Sequence, residues 1–200
     1  MHTLIHNKYI GNLKLINIIS RINLNHIKPS FEKLDINYKY LIKKQILWIR
    51  KNENNLYEKG NIQQNEDNNK YPLINIDNKL IIKLLDIFTE ESNTRNNKNI
   101  LLQFNRITST QLYQPYYNYN YNMNEGIDKQ AIICVNRYNI YGGISELKNK
   151  YNKKIKLELS PGYMIIYDND NIEYKETEMI CGELDTIGYK DIILISSFKN

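Results

Sequence analysis

Histidine is the residue that this sequence most conspicuously lacks. It occurs three times, as His2, His6 and His26, and not once from residue 27 to residue 200. Imidazole is the commonest side-chain ligand of transition metals and the commonest general acid or base near neutral pH. Any metal site or proton-transfer site after residue 26 must therefore be built from other side chains.

Cysteine and long apolar runs are scarce as well. The two cysteines cannot form a disulfide framework, and Cys134 lies inside an apolar run, where we interpret it as a small buried side chain. No apolar run reaches about 18 residues, so the sequence predicts no membrane-spanning helix. We expect an intracellular, cytoplasmic protein whose 200 residues bury a core without a metal or a disulfide.

Isoleucine, asparagine, lysine and tyrosine are abundant instead. AT-rich codons specify these residues, so the bias indicates an AT-rich genome rather than a function. The net charge of +5 is unevenly spread, because residues 1–100 carry 16 basic and 10 acidic side chains whereas residues 101–200 carry 11 and 12. A nucleic-acid groove needs excess positive charge, so we expect none in residues 101–200.

Residues 1–30 form a basic arm. It contains Lys8, Lys14, Arg21 and Lys28, and the first acidic residue of the chain is Glu32. Acid-free segments with interspersed apolar residues are typical of organelle presequences, which would place the protein in a mitochondrion or another organelle. The alternative is a first helix or strand that packs on the domain.

Residues 31–200 are predicted to form a single domain, mainly β with N-terminal helices. Apolar spacing predicts a helix over residues 29–44, a strand over 45–50 and a helix over 79–91, with a polar loop over 51–70. In the second half, short apolar runs separated by turn residues predict the strands of a sandwich or barrel. These strands are expected at 100–107, 131–136, 155–159, 163–167 and 191–198.

Several short segments of the second half follow one another in an order that is typical of a known family. They are Glu125-Gly126-Ile127, then Asn136-Arg137-Tyr138-Asn139-Ile140-Tyr141-Gly142-Gly143, then Pro161-Gly162, and near the end Gly188-Tyr189-Lys190-Asp191. With them the chain resembles the 2-oxoglutarate/Fe(II)-dependent dioxygenases that hydroxylate free amino acids. The resemblance implies a double-stranded β-helix core, jelly-roll or cupin-like, over about residues 100–198. It also implies that the turn residues serve the structure; these are Arg137, Asn139, Gly142, Gly143, Pro161 and Gly162.

The ligand positions of that family are changed in this sequence. The family holds iron with a His-x-Asp pair and a distal His. The best alignment deletes the loop that carries the first two ligands, and a gapless alternative places Asp128 and Gln130 at their positions. Tyr174 or Glu173 stands at the distal position. We therefore expect no catalytic residue, no bound metal and no cofactor.

Lys190 is the one candidate cofactor-binding residue. It stands where the family has an arginine that pairs with the 2-oxoglutarate carboxylate. A lysine can hold that carboxylate as a point charge, although without the two-pronged geometry of arginine. Fe(II) and 2-oxoglutarate are expected only if the protein is an active, divergent oxygenase.

Two further patterns are open to a functional interpretation. An acidic set could bind a hard cation, but we interpret it as a turn followed by glutamates on a solvated strand face. A row of tyrosines before residue 125 could bind a partner, or it is a loop that reflects codon bias. The acidic set is Asp168, Asp170, Glu173, Glu176 and Glu178, and the tyrosine row is Tyr117, Tyr119 and Tyr121.

These observations lead to three hypotheses. The first is a catalytically inactive dioxygenase-like protein that acts as a binding, scaffold or complex-assembly subunit with protein partners. The second is a divergent active 2-oxoglutarate/Fe(II) dioxygenase that hydroxylates an amino acid or another small molecule. The third is a structural subunit of an organellar assembly. An interior filled by tyrosine would favour the first hypothesis, and an open cavity with converging oxygen atoms would favour the second.

Overall fold

The structure is a computed structural model, and it describes residues 13–32, 42–51, 54, 56–59, 79–94, 98–110, 126–182 and 187–199. In this part of the chain β-strands dominate. The helices are a 3₁₀ helix at Leu24–His26, α1 (Lys28–Glu32) and α2 (Lys79–Ser92). The strands are β1 (Lys14–Asn17), β2 (Ile42–Lys51), β3 (Tyr57–Lys59), β4 (Asn99–Ser109), β5 (Ile127–Tyr138), β6 (Ile140–Gly142), β7 (Ser145–Asn149), β8 (Lys154–Leu157), β9 (Tyr163–Asp168), β10 (Ile172–Glu176), β11 (Met179–Cys181) and β12 (Gly188–Phe198).

The strands form one large sheet and two small ones. The large sheet has the order β1-β9-β5-β12-β4-β2-β3, and the small sheets have the orders β10-β7-β8 and β11-β6. All neighbouring strands are antiparallel. The longest pairing joins the central strand β12 to β5 and β4, so β12 is the middle of the fold.

Each face of the large sheet is covered by a different layer. Side chains alternate between the two faces of a strand, so neighbouring residues of β5 such as Ile132 and Ile133 enter different cores. Ile133 packs with apolar residues of α2, including Leu84 and Phe88. Ile132 packs with side chains from the small sheets, including Leu147. The interior between the large and small sheets is the space in which an oxygenase-like site is expected.

The structure confirms the main elements predicted from apolar spacing. The predicted helix at 79–91 is α2, and the five predicted strands of the second half are β4, β5, β8, β9 and β12. The predicted helix over 29–44 is wrong at its end, because residues 42–44 belong to β2, whose residues 42–50 pair with β4. The predicted loop over 51–70 contains β3, which pairs with the end of β2.

Part of the basic arm belongs to the large sheet. Residues 14–17 are β1, which pairs with β9, and Ile18 donates its backbone N–H to the carbonyl of Gly162 at 2.9 Å. Arg21 contacts both Glu90 at 2.6 Å and Glu91 at 2.9 Å on α2. Cleavage of the arm as a presequence stays a prediction. Among the described helices, none is long and apolar enough to cross a membrane.

Candidate functional site

The inward face of the large sheet carries polar side chains at both ends of its central strands. The alternation that buries Ile132 and Cys134 on this face of β5 also turns Gln130 inward, and on β12 it does the same for Lys190 and Ser196. On β5 and β12 apolar side chains fill the stretch between these two ends, and β4 adds the buried polar residues Gln103 and Asn105 beside Leu194 and Ile192. Burial raises the pKa of the Cys134 thiol to about 12, so this cysteine stays protonated near neutral pH.

Lys190 forms a fully buried ion pair with Glu176. Its ammonium nitrogen lies 2.6 Å from Glu176 Oε1, and neither side chain has any exposed surface. The same nitrogen donates to the backbone carbonyl of Gly143 at 3.1 Å. A buried ammonium is costly unless an opposite charge and further hydrogen bonds compensate it, and this arrangement supplies both.

Tyr174 adds a second donor to the same carboxylate oxygen. Its hydroxyl donates to Glu176 Oε1 at 2.5 Å, and Ser145 Oγ lies 2.8 Å from the tyrosine oxygen. Because Tyr174 gives its proton to Glu176, Ser145 is the donor in the second contact. Burial raises the pKa of Tyr174, and the nearby Glu176 carboxylate raises it further. Tyr174 is therefore a neutral phenol and not a phenolate.

Tyr167 connects this cluster to the opposite end of the interior. Its ring stacks on Tyr174 with centroids 5.9 Å apart and planes 7° from parallel. Its hydroxyl donates to Gln130 Oε1 at 2.8 Å, and Gln130 Nε2 donates to Ser196 Oγ at 3.2 Å. We call the five side chains the inner network; they are Gln130, Tyr167, Tyr174, Glu176 and Lys190. This network crosses the interior from one end of β12 to the other.

Asp128 lies outside the inner network. Its carboxylate is 2.5 Å from the ammonium of Lys98 and 3.9 Å from that of Lys129, and its backbone carbonyl accepts from Asn169 at 3.1 Å. The carboxylate is partly exposed, and Asp128 is the second residue of β5. The negative charge of the Asp128 carboxylate, which a metal cation would need, is therefore already balanced by lysine ammonium groups.

The residues that the sequence resemblance aligns with iron ligands are engaged by other groups of the chain. The amide of Gln130 is used by Tyr167 and Ser196, the phenol of Tyr174 stays protonated, and Asp128 is paired with lysine. Within the described ranges no group of three or more His, Cys, Asp or Glu side chains could hold a metal ion. Oxygen ligands alone also suit magnesium, calcium or manganese better than Fe(II).

The expected turn residues meet at the Lys190 end of the interior. Arg137 donates to the carbonyl oxygens of Gly142 at 2.7 Å and Gly143 at 3.3 Å. Gly142 has φ 73°, and a Cβ there would overlap with the backbone oxygen of Glu178. The Gly143 carbonyl thus accepts from both Arg137 and Lys190, which fixes the turn against the buried ammonium.

The other motif residues lie farther from the inner network. Asn139 takes a left-handed conformation with φ 48° at the end of β5. Gly162 donates its N–H to the carbonyl of Cys134 at 2.9 Å, and it follows the exposed Pro161. Tyr117, Tyr119 and Tyr121 lie outside the described residues.

Glu176 is the inner-network residue whose environment the sequence predicted wrongly. It was expected on a solvated strand face, but its exposed fraction is 1%, whereas Glu173 on the same strand is exposed. The alternation in Ile172, Tyr174 and Glu176 was the available signal, because residues two apart share a face of a strand. Tyr167 was missed as well, since it sits within a run of apolar residues that bury both faces of β9.

Asp168 belongs to a turn, as its neighbours suggested. Its carboxylate accepts from the backbone of Asp170 at 3.1 Å and from the Asn171 side chain at 2.9 Å, and Lys129 lies 3.2 Å away. Burial pushes the pKa of this carboxyl upward, but these contacts outweigh burial and lower the pKa overall. Asp168 is therefore ionised and held by the turn and by Lys129.

Comparison with known proteins yields matches among solved structures alone. No family model matches the sequence, and no curated protein matches it. The structure of IDO from Bacillus thuringiensis has a TM-score of 0.72 at 14% identity, covering 95% of this chain and 91% of that one. The Fe(II)/α-ketoglutarate-dependent dioxygenase TqaL has a TM-score of 0.71 at 7% identity, covering 94% of this chain and 83% of that one.

A third solved structure is also similar in fold at low sequence identity. An oxidoreductase of the 2OG-Fe(II) oxygenase family from Burkholderia pseudomallei has a TM-score of 0.56 at 12% identity, covering 94% of this chain and 84% of that one. At such low identities the likeness shows the fold. The expected fold class is therefore confirmed: the chain has the mainly β, jelly-roll and cupin-like architecture found in 2-oxoglutarate oxygenases.

Proposed function

We propose that this protein is a catalytically inactive member of the oxygenase-like folds and acts as a binding or scaffold subunit for protein partners. One observation carries the first half of the proposal. Tyr174 is one of the two candidates for the distal iron-ligand position in the sequence resemblance, and its hydroxyl and ring are both committed to neighbours within the inner network. The other candidate, Glu173, is exposed and lies 3.7 Å from the ammonium of Lys148. Neutral phenols and lysine-paired carboxylates are poor ligands for Fe(II), which supports a site without oxygen chemistry.

Ferrous ion and 2-oxoglutarate should not change the thermal stability of the purified protein. A ligand that binds the native state at 100 times its dissociation constant stabilises it by about 2.7 kcal/mol, which a thermal melt detects readily. We expect an unchanged melting temperature when Fe(II) and 2-oxoglutarate are added anaerobically, alone or together. We also expect succinate formation in air to stay at the level of protein-free controls.

An authentic 2-oxoglutarate oxygenase measured in parallel provides the positive control. A saturable rise in melting temperature together with succinate formation would overturn the proposal. It would support instead a divergent active dioxygenase, in which Asp128, Tyr174 and Lys190 rearrange to hold the metal and the cosubstrate.

The binding half of the proposal is supported by exposed aromatic side chains near the β5–β6 turn. Tyr138 and Tyr141 are 57% and 68% exposed, and Ile180, opposite Tyr141 in the β6–β11 pair, is 43% exposed. Tyr138 stacks on Tyr189 at 5.2 Å, which holds its ring in place. Ordered tyrosines lose little entropy on binding, and aromatic residues are enriched at protein interfaces.

A partner that docks here should depend on these tyrosines. We expect the double variant Tyr138→Ser, Tyr141→Ser to recover at least tenfold less of the co-purifying partners than the wild type in quantitative affinity purification from the native cells. Tyr151→Ser is the matched control, because Tyr151 is 73% exposed at the turn after β7. Equal recovery with the double variant would contradict this surface as the contact.

A further inference from the structure

The Glu176 carboxylate occupies a site whose other members come from different parts of the fold. Glu176 is the last residue of β10 in a small sheet, whereas Lys190 lies on the central strand of the large sheet. Gly143, whose carbonyl accepts from Lys190, belongs to the turn between β6 and β7. The ammonium is thus positioned by the large sheet and by the turn, and Glu176 enters from the opposite side.

The two oxygens of this carboxylate are used very unequally. Oε1 accepts from both Tyr174 and Lys190, at 2.5 and 2.6 Å. Oε2 is buried and has no hydrogen-bond partner among the described residues. A buried acceptor without a donor is destabilising. Glu176 therefore satisfies the donors of Lys190 and Tyr174, whereas its own Oε2 is left without a donor among the described residues.

We propose that Lys190, Tyr174 and the Gly143 carbonyl form a receptor for a small carboxylate, which the chain itself fills with Glu176. The inference rests on the proposed function, since a site committed to an internal carboxylate has no role in turnover. The receptor offers one cation and one hydroxyl donor to the same oxygen atom. A carboxylate of matching size, delivered from solution, makes the same two contacts when the Glu176 side chain is shortened.

The occupant is a carboxylate rather than a larger or a monatomic anion. The space is occupied by a planar two-oxygen group that is fully buried, and both donors converge on one of its oxygens. A tetrahedral phosphate brings four oxygens into a region where one carboxylate oxygen already lacks a donor. A chloride ion matches the charge of Lys190 but leaves the volume of the removed side chain unfilled.

The test uses chemical rescue with acids of defined length. Glu176→Ala removes a CH₂–COO⁻ unit, which acetate replaces, and Glu176→Gly removes one carbon more, which propionate replaces. We expect the melting temperature of Glu176→Ala to rise saturably with sodium acetate, recovering at least half of the loss, and to rise less with propionate or butyrate. For Glu176→Gly the preference moves to propionate. Sodium chloride at equal ionic strength measures the nonspecific salt effect.

Two variants show whether Lys190 is the receptor. The double variant Glu176→Ala, Lys190→Met should lose the response to acetate, and Glu173→Ala, on the exposed side of the same strand, should never show it. If Glu176→Ala does not fold in chloride, the refolding yield is measured against acetate concentration instead. Acetate no better than chloride in both measurements, or a response that survives loss of Lys190, overturns the receptor.

The acetate rescue tests the receptor and the 2-oxoglutarate assay tests the proposed function, so a negative result in one experiment does not decide the other. Rescue needs neither iron nor turnover, so turnover of 2-oxoglutarate by the wild type would refute the proposed function while an acetate response would still establish the receptor. An unrescued variant with an inert wild type would refute the receptor alone.

Discussion

Lys190→Met lowers the free energy of unfolding by about 3–5 kcal/mol, because it leaves the Glu176 carboxylate buried without its counter-charge. Methionine fills most of the volume of the lysine stem, so the loss comes from the charge rather than from a cavity. Urea or guanidinium unfolding, with the change in free energy compared at a fixed slope, measures the effect.

The matched double variant separates charge from packing. Lys190→Met combined with Glu176→Leu removes both charges, and replacing a whole buried ion pair with apolar residues is often neutral or stabilising. We therefore expect the double variant to be at least 2 kcal/mol more stable than Lys190→Met. A double variant as unstable as the single one would show that the pair has little to do with the loss.

Arg106→Met costs a similar amount, about 3–5 kcal/mol, on the opposite face of the large sheet. Arg106 donates from Nε and Nη2 to the two oxygens of Asp191 at 2.7 and 2.8 Å, and its guanidinium lies 4.2 Å from the ring centroid of Tyr189. Asp191 is fully buried, so the variant leaves a carboxylate without its principal cation. Thermal and denaturant unfolding both report the loss.

Two substitutions test the geometry behind this expectation. Arg106→Lys keeps the charge but loses the two-pronged contact, and we expect it to recover only part of the stability. Arg21→Met breaks the more exposed pairs with Glu90 and Glu91, and exposed ion pairs contribute less than about 1 kcal/mol. Equal effects at Arg106 and Arg21 would contradict the importance of burial.

The elements that could be predicted from the sequence are those with long, dense apolar patterns. The apolar face of α2 and the isoleucine runs of β5 and β12 are long enough to be recognised as a helix and as strands from the sequence. Short strands such as β7 and β10 were missed, because each puts only three residues inside and carries charged residues outside. Over five residues such an alternation is hard to distinguish from a polar loop.

The partners within the site could be predicted even less well. Lys190 and Tyr174 were recognised as positions of interest, but their shared partner Glu176 was assigned to solvent. The pair Lys190–Glu176 is separated by 14 residues and joins two different sheets, so no local pattern connects them. Only the packing of the small sheet against the large one decides which carboxylate meets the buried ammonium.

The pairing of β1 with β9 also covers a backbone edge of the large sheet. Without β1, the strand β9 would be an edge of the large sheet, with the N–H and C=O groups along one of its sides open to any extended segment. Four residues of β1, Lys14 to Asn17, occupy that side. In the described part of the chain β1 is the edge strand, and its four residues offer few backbone groups to a further strand. The N-terminal strand therefore covers the backbone groups of β9 at which another extended segment could add as a strand.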